Sequence, residues 1–297
     1  MAKVTMIKTA DRNQGVKAML QALDNNPIRG KEILIKPNFN TADATPGSTH
    51  NNTLTSLVDE MWAMGAKSIA LGERSYPPTS EVMKRKGIIP LLEQRDVNII
   101  DFDTLNERDW VAFKPKESHW AKGFRIARPI LEAEFLLSTC CLKTHQFGGV
   151  FTMSLKLHVG VVPTSRHGFP YMGELHQSPH QEEMIAEINQ PFSPDLVVLD
   201  GVDAFVDGGP AMGKRAKGNV FLASSDRVAT DAAGLALLKV LGSNSAIMER
   251  KIFEQRQISR AVELGLGASS ASEIHLIPVD ADSKEYCDQV ATMLQRG

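Results

Sequence analysis

The sequence predicts an α/β fold in which a mainly parallel sheet carries helices on both faces. Two features indicate it: short apolar, β-branched runs that end abruptly in polar residues, and intervening segments whose apolar residues recur at helical spacing. At 297 residues the chain can form one large domain or two smaller ones with a sizeable core. We therefore expect a Rossmann-like architecture.

Seven runs have the composition of buried strands, and five helices have recognisable start signals. The runs are Glu32–Ile35, Ser68–Leu71, Val97–Ile100, Glu134–Leu137, Leu196–Leu199, Asn219–Leu222 and Ile274–Ile277. Asp, Asn and Ser side chains accept hydrogen bonds from the free amides of a first helical turn. Such residues predict helix starts at or near Asp11, Asn51, Ser178, Asp226 and Asp282.

The stretch from His145 to Ser178 interrupts the alternation of strands and helices. It is rich in Gly, His and Pro, and loops of this length inside a domain usually serve function. We expect a single domain over residues 1–297. The alternative is a subdivision into an N-terminal α/β part (1–140), a His- and Gly-rich functional segment (141–190) and a C-terminal α/β part (191–297).

The charge and cysteine content argues against several function classes. The 33 basic and 35 acidic residues give a net charge of -2, which provides no global field for attracting nucleic acid or an anionic membrane. No apolar run is long enough to span a bilayer, and the first residues lack the apolar centre of a signal peptide. Three cysteines without a C-x-x-C spacing predict neither a disulfide framework nor an iron–sulfur cluster. We expect a cytoplasmic protein whose partner is a small anionic ligand, and the sequence leaves a homo-oligomer open.

Candidate binding residues follow the first predicted strand. Open parallel sheets bind ligands beyond the carboxyl ends of their strands, where Lys36 and Asn38 lie. Burying the charge of a lysine beside a strand end costs free energy unless an anion compensates that charge. The hydroxyl-rich turn that contains Ser48 either contributes to an anion site or only caps the next helix. Lys36, Asn38 and Ser48 are therefore candidates for substrate binding.

Two Lys-x-His units follow the fourth predicted strand. Lys143 and His145 form the first, and Lys156 and His158 form the second. Lysine can hold a carboxylate or phosphate while an imidazole moves a proton, so these four residues are candidates for acid–base catalysis. Ser154 shares a face with both members of the second unit if that piece is extended, and only with His158 if it is helical. Ser154 is a further candidate for substrate binding.

The distribution of histidines suggests a metal site as an alternative to acid–base catalysis. Five of the eight histidines lie between residues 145 and 180, and imidazoles backed by carboxylates suit divalent transition metals. No spacing matches a metal signature such as H-E-x-x-H. The candidate ligands are His145, His158, His176, Asp200, Asp203 and Asp231.

An Asp- and Gly-rich stretch follows the fifth predicted strand. Gly208 and Gly209 would let backbone amides approach an anion closely. The glycine spacing matches neither G-x-G-x-x-G nor G-x-x-x-x-G-K-[ST] and so gives only weak support for a nucleotide site. Gly208, Gly209 and the more distant Arg166 complete the substrate-binding candidates.

Several segments together resemble the prokaryotic family called domain of unknown function 362. The resemblance covers almost the entire chain and rests on ILIKPN (Ile33–Asn38), LKTH (Leu142–His145), SLKLHVG (Ser154–Gly160), PDLVVLDGVDAFVDGGPAMG (Pro194–Gly213) and ASSDRVATDAAG (Ala223–Gly234). The family mostly lacks an assigned reaction. Many members carry a ferredoxin-like cysteine module, which implies redox or anaerobic metabolism, and this chain lacks that module. The family pattern has an Asn where this chain has Leu157.

These observations predict an enzyme that binds a small carboxylate- or phosphate-bearing substrate at the strand ends. We expect lysine and histidine to transfer a proton on a carbon acid, or to take part in metal-assisted chemistry. Two alternatives stay open. One is a non-catalytic protein that carries a metal or cofactor, and the other is an accessory protein of a redox pathway.

Overall fold

The computed structural model describes residues 1–297, and most of its strands join one large sheet. The strands are β1 (Ala2–Lys8), β2 (Glu32–Lys36), β3 (Ser68–Glu73), β4 (Val97–Asp101), β5 (Trp110–Phe113), β6 (Phe124–Ala127), β7 (Phe135–Thr144), β8 (Phe151–Thr152), β9 (Leu196–Gly208), β10 (Gly213–Lys217), β11 (Val220–Ser224) and β12 (Ile274–Pro278). All seven predicted runs correspond to strands of this sheet.

The sheet is mainly parallel, as the sequence predicts. Its order is β12-β1-β11-β9-β7-β2-β3-β4, with β10 added beside β9 and β8 beside β7. The strands from β9 to β4 in this order are parallel to one another, whereas β11 runs antiparallel to both of its neighbours. β5 and β6 form a separate antiparallel pair. The predicted α/β class is confirmed.

Twelve α-helices cover the sheet. They are α1 (Arg12–Gln21), α2 (Asn51–Ala63), α3 (Thr79–Lys86), α4 (Ile89–Glu93), α5 (Arg128–Leu131), α6 (Ser154–Leu157), α7 (Tyr171–Gln177), α8 (Gln181–Glu187), α9 (Arg227–Val240), α10 (Ser245–Met248), α11 (Arg256–Glu263) and α12 (Ala281–Arg296). None of them combines the length and the apolar character needed to cross a membrane.

The helix caps confirm some predicted starts and correct others. Asp11 caps α1 and Asp226 caps α9, each through its carboxylate. The predicted start at Ser178 is wrong, because its hydroxyl accepts from an amide within the preceding turn and α8 begins only at Gln181. The last helix is capped by Asp280, so the predicted cap, Asp282, lies inside its first turn.

The two faces of the sheet contact separate apolar clusters. On β9, Val197 and Leu199 belong to the larger cluster, which includes residues of α9 and α12. Val198 between them belongs to the other cluster, which includes residues of α1 and α2. Successive strand residues point to opposite faces, so a strand covered on both sides is apolar throughout.

β7 and β9 are longer than their apolar runs predict. All ten residues of β7 are buried, and the strand continues through Lys143 to Thr144. β9 continues past Asp200, and its register with β7 shifts where Cys141 pairs with Asp200 and the next residue, Leu142, pairs with Ala204. Asp200 and Asp203 therefore lie within β9 and not beyond its end.

Strands from both sides of the predicted subdivision pair directly with one another. β1 lies between β11 and β12, and β7 lies beside β9. Because the two halves share one continuous sheet, we propose that residues 1–297 form a single domain.

The cap of α12 gives a matched test of the fold. Asp280→Ala removes the carboxylate that accepts from the Ser283 amide, and we expect it to lower the free energy of unfolding by about 1 kcal/mol. Asp282→Ala removes only an exposed charge near the helix start, which is worth less than about 0.5 kcal/mol. Urea denaturation of both variants measures the difference, and equal losses would contradict the assigned cap.

Candidate functional site

A cavity of about 440 Å³ lies at the carboxyl ends of β2, β3 and β7. β2 supplies Lys36, and β3 supplies Glu73 and the following Arg74. β7 supplies Lys143, and the short helix α6 supplies Lys156. Since the strands are parallel, their carboxyl ends meet at one edge, which is where such sheets bind ligands.

Lys36 and Glu73 form a buried ion pair across neighbouring strands. Lys36 Nζ lies 2.5 Å from Glu73 Oε1 and also donates to the Pro37 carbonyl oxygen. The Glu73 carboxylate also accepts from the backbone amides of Phe39 and Arg74. Burial lowers the pKa of Lys36 and raises the pKa of Glu73, while their mutual attraction opposes both shifts. Protein donors thus already occupy the one acidic side chain that lines the cavity.

Lys143 is buried without a carboxylate partner. Its ammonium group donates to the carbonyl oxygen of Gly47 and forms no ion pair. Burial lowers the pKa of Lys143, and the nearby Cys141 and Asp43 oppose that shift. A neutral carbonyl leaves the positive charge of Lys143 uncompensated inside the protein.

Lys156 has neither a hydrogen-bond partner nor an ion-pair partner, although it is only 8% exposed. Burial and then repulsion from Lys143 lower its pKa to about 8, against the attraction of Glu182. The ammonium group lies close to Gly149, where an added Cβ would be 3.1 Å from Nζ. Gly149 also has φ +73°, a conformation that favours glycine. Because Gly149 has no side chain, the Lys156 ammonium group has room beside it.

Asp231 of α9 holds the N-terminus of α6. Its Oδ1 accepts from the Ser154 amide at 2.7 Å, and its Oδ2 accepts from the Leu155 amide at 3.0 Å. Burial raises the pKa of Asp231 to about 6, and the hydrogen bonds to α6 oppose that shift. A carboxylate at this position satisfies amides that a first helical turn leaves free. Asp231 thereby fixes the backbone that carries Lys156.

His145 and His176 line the cavity as neutral imidazoles. Burial, with repulsion from Lys156, lowers the pKa of His145 to about 2 and also lowers the pKa of His176. His145 Nδ1 accepts from the Phe147 amide at 3.3 Å, and His176 Nδ1 accepts from the Gln181 side-chain amide at 3.1 Å. A neutral imidazole whose Nδ1 accepts carries its proton on Nε2. Burial therefore favours the uncharged form of both histidines, and a hydrogen bond to the Gly148 backbone opposes the pKa shift of His145.

Three residues that line the cavity contain buried polar atoms without a hydrogen-bond partner. They are Asn38 at Nδ2, Arg74 at Nε and Thr152 at Oγ1. The other side-chain nitrogens of Arg74 donate to neutral acceptors, including the Val159 carbonyl and the Thr164 hydroxyl. Buried polar atoms are usually paired, and a ligand in the cavity would supply partners for these three, although other atoms of this kind lie elsewhere in the protein.

Apolar side chains complete the lining. Tyr76 is 74% exposed and Phe147 is 65% exposed. Leu157, Val159 and Met172 also line the cavity. Buried cations and apolar surface together are typical of sites that bind a small organic anion.

Comparison with known proteins assigns a family. The family model described as "Domain of unknown function (DUF362)" matches residues 33–236. The chain belongs to this family. The DUF362 region includes every cation of the cavity, from Lys36 to Lys156, and also Asp231.

Two individual proteins are similar to this DUF362 chain. "Thylakoid-associated protein sll1697" of Synechocystis sp. is 24% identical over 205 residues, which make up 68% of this chain and 61% of that protein. The chain thus spans less than two thirds of that relative. The lactate racemase apoprotein from Thermoanaerobacterium thermosaccharolyticum has a TM-score of 0.46 at 13% identity, over 96% of this chain and 85% of that chain. This structural similarity is too low to support a functional argument.

One of the four residues predicted for acid–base catalysis, His158, lies outside the cavity, and the other three line it. His158 is completely buried, with Nε2 2.9 Å from Ser138 Oγ and Nδ1 2.7 Å from Asn189 Oδ1. Burial lowers its pKa well below the usual value. Both ring nitrogens serve internal hydrogen bonds, so His158 supports the fold of this DUF362 protein.

Lys36 and Asn38 line the cavity as predicted for substrate binding, but the other five candidates do not. Those five are Ser48, Ser154, Arg166, Gly208 and Gly209. The Ser48 hydroxyl donates to the Thr41 carbonyl, and the Ser154 hydroxyl donates to the Arg227 carbonyl. Arg166 donates to the Leu105 carbonyl. The two hydroxyls are thus engaged by the protein itself, while Arg166 lies away from the cavity and keeps a buried Nε without a partner.

Gly208 and Gly209 serve the turn between β9 and β10. The Gly208 amide donates to the Asp207 side chain, and the Gly209 amide donates to the Met212 carbonyl. Both glycines have φ +75°, which the turn requires. Because these amides are occupied, the predicted anion-binding nest does not form.

The six predicted metal ligands do not come together. His145 and His176 line the cavity, whereas His158 and Asp231 serve the internal contacts described above. Asp200 and Asp203 each accept from Arg12 at 2.9 Å, because β9 continues past them and directs them towards the start of α1. No cluster of three or more His, Cys, Asp or Glu side chains could hold a metal ion.

Several lining residues were not among the predicted site residues. Glu73 and Arg74 follow the predicted strand Ser68–Leu71 after Gly72, so the strand-end rule already places them at this edge. Thr152, Thr164 and Met172 lie in the His- and Gly-rich segment, where no spacing distinguishes them. Their roles depend on how that segment folds back over the sheet edge.

The pKa of Lys156 predicts a pH-dependent effect on stability. Because its folded pKa, about 8, lies below the ordinary value of 10.5, the unfolded chain binds more protons between these values. The wild-type protein therefore gains stability from Lys156 as the pH rises through this window, by about 3 kcal/mol in total. Lys156→Met lacks this gain.

Urea denaturation at pH 7 and pH 10 tests this expectation. The stability difference between Lys156→Met and the wild type should shift in favour of the wild type by about 2 to 3 kcal/mol at the higher pH. Lys114→Met, at an exposed position, provides the control and should show no such shift. A pH-independent difference for Lys156→Met would contradict the assigned environment.

Proposed function

We propose that this protein is an enzyme that binds a small carboxylate- or phosphate-bearing compound in the cavity and transfers a proton on a carbon acid. The observation that carries the proposal is that Arg74, Lys143 and Lys156 line the cavity without an ion-pair partner. The one lining carboxylate, Glu73, is already held by Lys36. A bound anion would supply the missing negative charge.

The environments of the lining groups support different roles. Lys143 and Arg74 would hold the anionic group, since each has its positive charge next to neutral protein acceptors. Lys156 would accept and return the proton, because a pKa of about 8 lets the amine do both near neutral pH. The Nε2–H groups of His145 and His176 would donate to an oxygen that becomes more negative during the transfer.

A metal-dependent reaction or a metal carrier has less support. Apart from Glu73, the metal-binding side chains that line the cavity are His145 and His176. Two imidazoles are fewer than the three or four protein ligands of typical sites for zinc and related metals. An organic cofactor with an anionic group remains compatible with the same cations, and native mass spectrometry of the purified protein would detect it.

Binding of simple anions provides the first test. We expect pyruvate and inorganic phosphate to raise the thermal unfolding temperature of the wild-type protein. Lys143→Met and Lys156→Met should each weaken this binding at least about tenfold, because each removes a charge-assisted contact. Lys239→Met is the matched control, since Lys239 is also 8% exposed but contacts Met248 away from the cavity. Equal weakening by Lys239→Met, or no stabilisation of the wild type, would refute the anion site.

Hydrogen exchange on carbon tests the proton transfer itself. Proton NMR in D₂O should show the wild-type protein replacing a carbon-bound hydrogen next to the carboxylate or carbonyl group in at least one member of a panel of pyruvate, lactate and malate. Lys156→Met should abolish the exchange, and Lys239→Met should retain it. If the panel stabilises the protein without any exchange, the protein is a binder and not an enzyme for these acids.

A further inference from the structure

Lys156 differs from the other two lysines of the cavity in its contacts. Lys36 donates to Glu73 and to the Pro37 carbonyl, and Lys143 donates to the Gly47 carbonyl. Lys156 donates to no protein atom, although it is almost as well buried. A buried amine with no acceptor of its own is the one whose nitrogen is available to react.

We propose that Lys156 forms an imine with the carbonyl carbon of a small molecule that also carries a carboxylate or phosphate. This inference rests on the proposed anion site, because the same cations would hold the charged end of the molecule. For ligands that carry a ketone or aldehyde group, it adds a covalent step in which Lys156 acts as the nucleophile and not as the proton carrier. It also narrows the ligand class to a 2-oxo acid or a phosphorylated ketone or aldehyde. Lysine amines are the usual protein partners of carbonyl compounds in covalent catalysis.

The position of the Lys156 amine favours attack on a held carbonyl. α6 is fixed at its start by two hydrogen bonds to Asp231, and its residues are buried. On one side the amine lies close to Gly149, because a Cβ added at this glycine would be 3.1 Å from Lys156 Nζ. The amine is thereby positioned within the cavity, and such positioning greatly accelerates a reaction between two groups.

The neighbouring charges also favour an uncharged amine, which the reaction requires. Lys143 raises the electrostatic cost of a proton on Lys156, and the pKa of Lys156 is lowered to about 8. A desolvated lysine next to another cation is an activated nucleophile. A larger fraction of Lys156 is therefore uncharged near neutral pH than of an ordinary lysine.

The reaction balances without an oxidant or a reductant. The nitrogen lone pair of Lys156 attacks the carbonyl carbon, and the C=O π pair moves to the oxygen, which receives a proton as the nitrogen loses one. The C–O bond then breaks, and the hydroxyl group leaves as water with the second amine proton while the nitrogen lone pair forms the C=N bond. The Nε2–H of His145 or of His176 can relay these protons to the oxygen.

Reductive trapping tests the imine. The whole protein is incubated with pyruvate or with dihydroxyacetone phosphate in the presence of cyanoborohydride, which reduces an imine to a stable secondary amine. Intact mass should increase by one reduced adduct per chain, and peptide mapping should locate it on Lys156. The two probes distinguish carboxylate from phosphate as the recognised group. Lactate has no ketone or aldehyde group. When it is added together with pyruvate, it should slow the trapping of pyruvate but form no adduct of its own.

Matched variants identify the reacting lysine. Lys156→Arg keeps a positive charge but should lose the specific adduct, whereas Lys239→Arg should be trapped as fast as the wild type. An adduct that persists in Lys156→Arg, or that is spread over surface lysines, overturns the imine proposal. No adduct with either probe also overturns it. If no adduct forms but pyruvate or phosphate still stabilises the protein, the imine is refuted and the anion site is retained. If neither anion stabilises the protein, both proposals are refuted.

Discussion

The carboxyl edge of the sheet buries more positive charge than the protein neutralises there. Moving a cation out of water costs several kcal/mol unless an anion compensates it, and among the cations of the cavity only Lys36 has an ion-pair partner. Lys143 and Lys156 stay buried because they belong to a buried strand and a buried helical turn. The fold therefore keeps an energetically unfavourable arrangement that a bound anion would relieve, which is how binding sites commonly differ from the rest of a structure.

The support of α6 shows how this arrangement is maintained. Asp231 binds the first amides of the helix from one side. On another side, the Asn189 side chain donates to the Leu155 carbonyl and its oxygen contacts His158 Nδ1. His158 in turn contacts Ser138 of β7. His158 thus joins the central strand to the helix that carries Lys156, which is a positioning role.

Local signals account well for the elements of the fold. Buried parallel strands are apolar on both faces, so their runs can be recognised without knowing their neighbours, and all seven lie in the sheet. Caps such as Asp11 and Asp226 act within their own turn. Five strands were missed: β1, which joins the sheet between β11 and β12, the pair β5 and β6, and the added strands β8 and β10.

The sequence by itself determined seven strand runs, the helix starts at Asp11, Asn51 and Asp226, and the edge at which Lys36, Lys143 and Lys156 would collect. These follow from periodicity and from the rule that parallel strands end together. Only the tertiary structure decided which polar residues reach the cavity. That choice depends on how far β7 and β9 continue and on the register shift between them, which turns Asp200 towards Arg12. It also depends on the packing of α6, which turns Lys156 inwards to the cavity and His158 away from it. Such contacts join residues far apart in the chain, so no local pattern records them.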